Sequence, residues 1–183
     1  MKIIRSLLIL FTSFTVSCQA AASVSAIASD ITDVINQAKT LETTYNGLNN
    51  YNWMFAGPNL HTGIASISSG MKKVASDITA VSSFPLTEGD SATLFEAAAP
   101  LYTLAGQFVQ SLLARKAQLT TLPVVGSFSP AVILSELQIL QGGANTLTDV
   151  MMRSTPPSLA ANATSMKTLL DDAMASALKA YST

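Results

Sequence analysis

From Leu60 to Val81 the chain sets its large apolar side chains at spacings of four, three, four, three, four and three: Leu60, Ile64, Ile67, Met71, Val74, Ile78 and Val81. That rhythm puts all of them on one stripe of an α-helix and leaves Ser66, Ser68, Lys72, Lys73 and Asp77 to the other faces. Burying each large apolar side chain contributes about 1.5–3 kcal/mol, so the stripe demands partner helices. Four further segments carry the same pattern. The fold class is therefore all-α, a single up-and-down bundle of about five long amphipathic helices.

The opening residues stand outside this pattern. Lys2 and Arg5 form a basic start, Leu7–Val16 an apolar core and Ala20-Ala21-Ala22 a small-residue cleavage region. Residues 1–20 read as a secretory signal peptide and 21–183 as the bundle. The apolar run falls short of the roughly 20 residues that span a bilayer. A lipoprotein reading would use Cys18, but Thr15-Val16-Ser17-Cys18 lacks the leucine expected three positions earlier. Cleavage removes the one cysteine, leaving a mature chain without disulfide or thiol chemistry, which a chain of this size tolerates. Loss of Lys2 and Arg5 takes the ten basic residues to eight against eleven acidic ones. Such a chain attracts neither nucleic acid nor an anionic membrane surface, and no transmembrane segment is expected in the mature protein.

Helix 1 is expected over Ser23–Leu48, on the stripe Val24, Ile27, Ile31, Val34, Ala38, Leu41, Tyr45 and Leu48. Asn49–Asn59 reads as a loop whose aromatics Tyr51, Trp53 and Phe55 either plug one end of the bundle or contact a surface. Pro58 suits the first turn of helix 2. Gly63 and Gly70 share one side of that helix, which brings a neighbour close or leaves room for a ligand. Helix 3 opens at Thr87-Glu88-Gly89-Asp90 in the manner of a capping box. Pro100 falls inside it, and Arg115-Lys116 near its end suit its dipole. Thr120–Phe128 is a connection. Ser129 caps helix 4 with Pro130 at its first position, and Ile133, Leu137, Leu140, Ala144, Leu147 and Met151 form its stripe. Pro156-Pro157 separates it from helix 5, striped by Leu159, Ala163, Met166, Leu170, Ala173 and Ala177. Short connections make successive helices antiparallel.

Catalytic chemistry has little to work with. His61 is the one histidine, so histidine or thiolate metal sites have no ligand set. A Ser-His-Asp arrangement would rest on His61 alone, which as an early residue of helix 2 reads as a surface or capping group. Asp171 and Asp172 are adjacent and point about 100° apart on a helix. No glycine-rich phosphate loop joins a strand to a helix. The sequence reads as a non-enzyme with no cofactor.

At helices 2 to 4 the pattern Leu60…Ile64…Ser69-Gly70…Val74, then Leu86-Thr87…Asp90…Leu94, Leu101 and Leu112…Arg115-Lys116, resembles the fungal hydrophobic surface-binding protein A family, also described as cell-wall galactomannoproteins. The Ser129–Met151 segment, with Leu137 and Gly142-Gly143, extends the likeness. The resemblance implies a five-helix bundle that is secreted or held in the cell wall. It implies as partners a long-chain fatty acid or other lipid held inside the bundle, hydrophobic surfaces, or cell-wall polysaccharide.

Three readings follow: an internal lipid carrier, a surface-active coat protein, and a packed structural or antigenic wall component. For the carrier, stripe position on helices 2, 3 and 4 selects Ile64, Met71, Phe95, Phe108, Leu112 and Leu140 as tunnel walls, with Gly63, Gly70, Pro100 and Gly142-Gly143 holding those helices apart. For the coat protein, Tyr51, Trp53 and Phe55 form the contact loop. Asn162-Ala163-Thr164 is the one N-x-[ST] sequon, making Asn162 the glycan site.

Overall fold

The computed structural model describes residues 22–48, 53–81, 83–121 and 129–182. Residues 1–20, read from the sequence as a signal peptide, and Tyr51 lie outside them. Five helices follow in order: α1 (Val24–Asn46), α2 (Trp53–Thr79), α3 (Glu88–Thr121), α4 (Pro130–Ser154) and α5 (Ala160–Tyr181). A single 3-10 turn, Pro157–Leu159, leads into α5. No strand occurs among the described residues.

Polar residues start the helices where their chemistry permits. The Ser23 hydroxyl accepts from the Ala26 N–H (3.2 Å) and Ser129 from Val132 (3.3 Å), with Pro130 directly behind. Thr87 accepts from the Asp90 N–H at 3.1 Å, and its own hydroxyl donates to the Asp90 carboxylate at 2.8 Å. Each arrangement fills one of the donors that a helix start leaves open.

Helix α2 begins earlier than the sequence suggests. Trp53–Asn59 belong to its first two turns rather than to a loop, and Pro58 lies within the helix. Proline removes one helical hydrogen bond and disfavours helical geometry in the residue before it. Here that residue is Gly57, which has no Cβ to clash with the ring, so the helix runs on through it.

The stripes are buried as their spacing requires. On α2, Leu60, Ile64, Ile67, Met71, Val74 and Ile78 all face the core. So do Ile133, Leu137, Leu140, Ala144, Leu147 and Met151 on α4. Paired residues give the directions. Val34 meets Gly70 while Leu41 meets Gly63, so α1 and α2 are antiparallel. Tyr45 meets Phe108 edge to face, and Arg115 reaches both Tyr45 and Leu48, so α1 and α3 run the same way. Along the chain the direction alternates, but chain order is not spatial order. Packing runs α1–α2–α4–α5–α3 and back to α1, a closed ring of five. Helices α2 and α3 are thus consecutive without being packing partners.

Three glycines close this ring instead of propping it open. A Cβ on Gly70 would sit 2.7 Å from Val34 Cγ2, and one on Gly63 would sit 3.1 Å from Leu41 Cδ1. A Cβ on Gly143 would meet Ser68 at 2.7 Å (Oγ) and 2.9 Å (Cα and O). The Ser68 hydroxyl crosses the same contact to donate to the Ile139 carbonyl at 2.9 Å. The expectation that Gly63, Gly70 and Gly143 hold helices apart is corrected by this geometry. Gly142 has open space around it, and Pro100 sits on an exposed face of α3.

Arg115 and Lys116 serve other helices than their own. Arg115 donates to the carbonyls of Tyr45 and of Leu48 (2.5 Å for Leu48), at the end of α1. Lys116 donates to the Ala180 carbonyl, at the end of α5. Because α1, α3 and α5 are parallel, two cations on α3 complement the negative ends of both neighbours.

Tyr45 and Tyr181 are buried and Tyr102 is partly buried, and all three phenols hold their protons. Burial pushes Tyr102 up to about 12 and also raises Tyr181. Tyr45 is raised mainly by burial and secondly by Tyr181, against an opposing pull from Arg115. A folded-state value above the unfolded value of about 10 means that the native state holds the proton more tightly. Stability from this source is full below about pH 10 and is lost as pH climbs through the folded values, by about 3 kcal/mol for Tyr102 alone. Alkaline titration should therefore show phenolate absorbance and loss of helicity together. Phenolate forming near pH 10 at more than one of the four tyrosines, with helicity intact, would contradict the burial.

Candidate functional site: an apolar chamber inside the ring

A ring of five helices leaves a gap that pairwise packing does not fill. With neighbouring axes about 9 Å apart, each axis lies about 7–8 Å from the common centre. Helices about 10–12 Å across then leave an axial space about 2 Å in radius. Side chains, or something else, must occupy it.

In this bundle they occupy it unequally. At the end where α1 and α3 finish and α2 and α4 begin, a chamber of about 340 Å³ opens. Its apolar wall takes Tyr45 from α1, Leu60 and Ile64 from α2, Phe108 and Leu112 from α3, and Ile133, Leu137 and Leu140 from α4. A second, narrow space of about 70 Å³ continues toward the middle of the bundle, reached by Met71, Leu101 and Val109 and by Leu170 and Met174 of α5. Phe108 and Leu140 border both spaces. They form the partition between them.

The chamber has one polar side. His61, largely exposed, holds Oε1 of Glu136 through its Nδ1. The Glu136 side chain is only 13% exposed, and its Oε2 is buried with no hydrogen-bond partner among the described residues. The Tyr45 hydroxyl is likewise buried, beside a Tyr181 hydroxyl that interacts with it and donates to the Leu112 carbonyl at 2.9 Å. Among the described residues no His, Cys, Asp and Glu group could hold a metal ion.

The structure distributes the residues chosen from the stripes as follows. Ile64 and Leu112 line the wide chamber, Met71 the narrow one, and Phe108 and Leu140 both. Phe95 is elsewhere. It packs with Leu86, Leu94 and Met151 at the opposite end, where no open volume remains. Thirteen residues separate it from Phe108, about 20 Å along a helix, and a stripe records facing but not depth. The expected location between helices 2, 3 and 4 is also too narrow, since α1 and α5 contribute walls. Trp53 and Phe55 fall in the first turn of α2, not in a contact loop. Asn162 is exposed in the first turn of α5. Tyr45, His61 and Glu136 were not legible as cavity residues. The available signal was Glu136 itself, a carboxylate set between Ile133, Leu137 and Leu140 on the apolar side of α4.

Fold and cavity together define a five-helix bundle with an apolar interior chamber that is open at one end among the described residues. The chain belongs to the hydrophobic surface binding protein A family, whose model matches residues 24–153. No curated protein matches it. Among solved structures it is similar to AFMP4P in complex with palmitic acid, at 19% identity over 87% of this chain and 99% of that one, with a TM-score of 0.76. It is also similar to ligand binding domain 1 of the Penicillium marneffei MP1 protein complexed with arachidonic acids, at 15% identity, 88% and 100% coverage and a TM-score of 0.74. Domain 2 of the same protein, also in complex with arachidonic acids, matches at 12% identity, 89% and 96% coverage and a TM-score of 0.73. No helix among the described residues is long and apolar enough to cross a membrane.

Proposed function

We propose that this protein is a secreted, non-enzymatic lipid carrier that holds one long aliphatic chain inside the helix ring. The observation that carries this reading is the chamber of about 340 Å³, which falls in the range of about 300–1,000 Å³ typical of small-molecule sites. Left to solvent, this apolar wall stays in contact with water, and an aliphatic tail seated in the chamber removes that contact. Ile64, Met71, Phe108, Leu112 and Leu140 would contact the tail, with its inner end beyond the Phe108–Leu140 partition. A 16-carbon tail brings roughly 12 kcal/mol of gross driving force at about 0.8 kcal/mol per methylene, from which ordering and association are subtracted. The relatives bound to palmitic and arachidonic acids support the same reading.

Residues 1–20 act as the export signal in this reading, and Asn162 carries the glycan. Native mass spectrometry of the purified protein tests all three parts. The expected masses show a chain starting at Ala21 or Ser23, a glycan removable by glycosidase, and a dissociable lipid. A protein with no lipid and no saturable rebinding after delipidation would overturn the carrier reading.

Membership of a family described by hydrophobic surface binding favours a second reading, adsorption to apolar solids. Among the described residues Phe84, Met152 and Leu169 are the exposed large apolar side chains. Adsorption that persists when the chamber is filled with lipid would favour an outer contact surface. Competition between lipid and surface would place both activities in the chamber.

A further inference from the structure

The narrow space ends on a side chain that crosses the ring. Tyr102 of α3 lines that space, and its hydroxyl donates to Sδ of Met151 on α4 at 3.6 Å. Helices α3 and α4 are not packing partners, so a bond between them spans the interior that the ring encloses. Met151 stands one turn beyond Thr148, the innermost residue that α4 gives to the narrow space. Past it the core is closed, with Val74 and Ala98 almost fully buried. This floor has no polar need of its own. The Thr148 hydroxyl donates to the Ala144 carbonyl at 3.0 Å, and the Tyr102 hydroxyl is held by Met151. Such a surface suits the methyl end of a tail, which offers no hydrogen bond, and leaves the head at the open end.

A floor sets a depth. The two spaces are lined on α2 from Gly57 to Met71 and on α4 from Val132 to Thr148, about 21–24 Å at about 1.5 Å per residue. Zigzag carbon–carbon bonds of about 1.5 Å advance about 1.25 Å each, so this depth takes a straight chain of about 18 carbons. We infer that Tyr102 sets the length of tail the site accepts, as the floor on which an unbranched chain of about 16–18 carbons ends. This rests on the carrier reading above and adds the class of tail. Up to the floor, each added methylene is buried and adds affinity. A longer tail must coil or leave carbons in water at the mouth, and gains nothing.

The test is competition among straight saturated fatty acids of about 12 to 24 carbons for delipidated protein, with each bound mass read by native mass spectrometry. The wild type should gain about tenfold in affinity for every two carbons up to about 18, and nothing beyond. Tyr102→Ala removes the floor, so acids of about 22 carbons should gain at least about tenfold relative to those of about 18. Tyr102→Phe keeps the ring, loses only the bond to Met151, and should keep the wild-type limit. Ala105→Leu adds bulk to the same α3 lining, about 4.5 Å nearer the mouth, and should lower the limit by about four carbons. Wild-type affinity that keeps rising past about 20 carbons would overturn the floor while leaving the carrier reading intact. So would a limit that Tyr102→Ala or Ala105→Leu, once folded, leaves in place, or one that Tyr102→Phe shifts as far as Tyr102→Ala. Absence of saturable binding at every chain length would overturn the carrier reading itself. If Tyr102→Ala does not fold, the wild-type series and Ala105→Leu decide.

Discussion

Replacing Leu140 by tryptophan should weaken lipid binding about a hundredfold and leave the helical signal unchanged. Leu140 is buried on α4 and borders both the wide chamber and the narrow one. An indole at that point fills the partition it forms with Phe108, so a tail could enter the wide chamber but not continue. Denying burial to about four methylenes, at about 0.8 kcal/mol each, removes about 3 kcal/mol, roughly a hundredfold in affinity. The added volume goes into existing space, so overpacking should be small. Ile64→Phe, which narrows the wide chamber from α2, provides an independent variant. A Gly70 substitution is a poor probe, because its Cβ would strike Val34 of α1 instead of the cavity. Unchanged affinity in both Leu140→Trp and Ile64→Phe would mean that no tail passes through these spaces.

The second large effect concerns adjacent glycines with opposite fates. Gly143→Val should destabilise the protein by about 3–5 kcal/mol. Its Cβ would lie within 2.9 Å of Ser68 Cα and O, backbone atoms that cannot swing aside. Helices α2 and α4 would have to separate, and the Ser68–Ile139 hydrogen bond would break with its groups still buried. At about 2–4 °C per kcal/mol for a domain of this size, the melting temperature should fall by about 10 °C. Gly142→Ala, one residue away and facing open space, should instead stabilise by about 0.5–1 kcal/mol through better helix propensity. Paired thermal melts decide the matter. Similar melting temperatures for the two variants would show that the α2–α4 contact is not as close as described.

Those two glycines also show where sequence reasoning reached its limit. Helix existence was legible because a three-four spacing of apolar residues has one periodic explanation, and the caps at Ser129 and Thr87 matched it. Which stripe meets which was not, because a stripe of leucines and isoleucines is complementary to any other such stripe. The ring order α1–α2–α4–α5–α3 follows from close contacts such as Gly143 on Ser68, and a glycine carries no mark of its partner. Arg115 and Lys116 were legible as helix-end cations, but their targets depend on which neighbours run parallel to α3. The same gap misplaced Phe95. Its position on the apolar face of α3 was legible, but its distance from the chamber depended on the helix's axial placement. Tyr45 was missed for a related reason, since its helix had not been assigned to the cavity at all.

The unequal filling of the ring has a kinetic consequence. Of the most deeply buried large apolar side chains, Ile27, Ile31, Val74, Ile78 and Leu94 belong to the half remote from the chamber, while Leu137 lines it. Gly70 on Val34 and Gly143 on Ser68 close the waist between the halves. The molecule therefore resembles a purse sewn at the base, whose mouth can part while the seam holds. On the carrier reading, ligand residence is governed by the free energy of widening that end, a fraction of that needed to unfold the whole. A mutation at the base can lower global stability without changing how fast the lipid leaves.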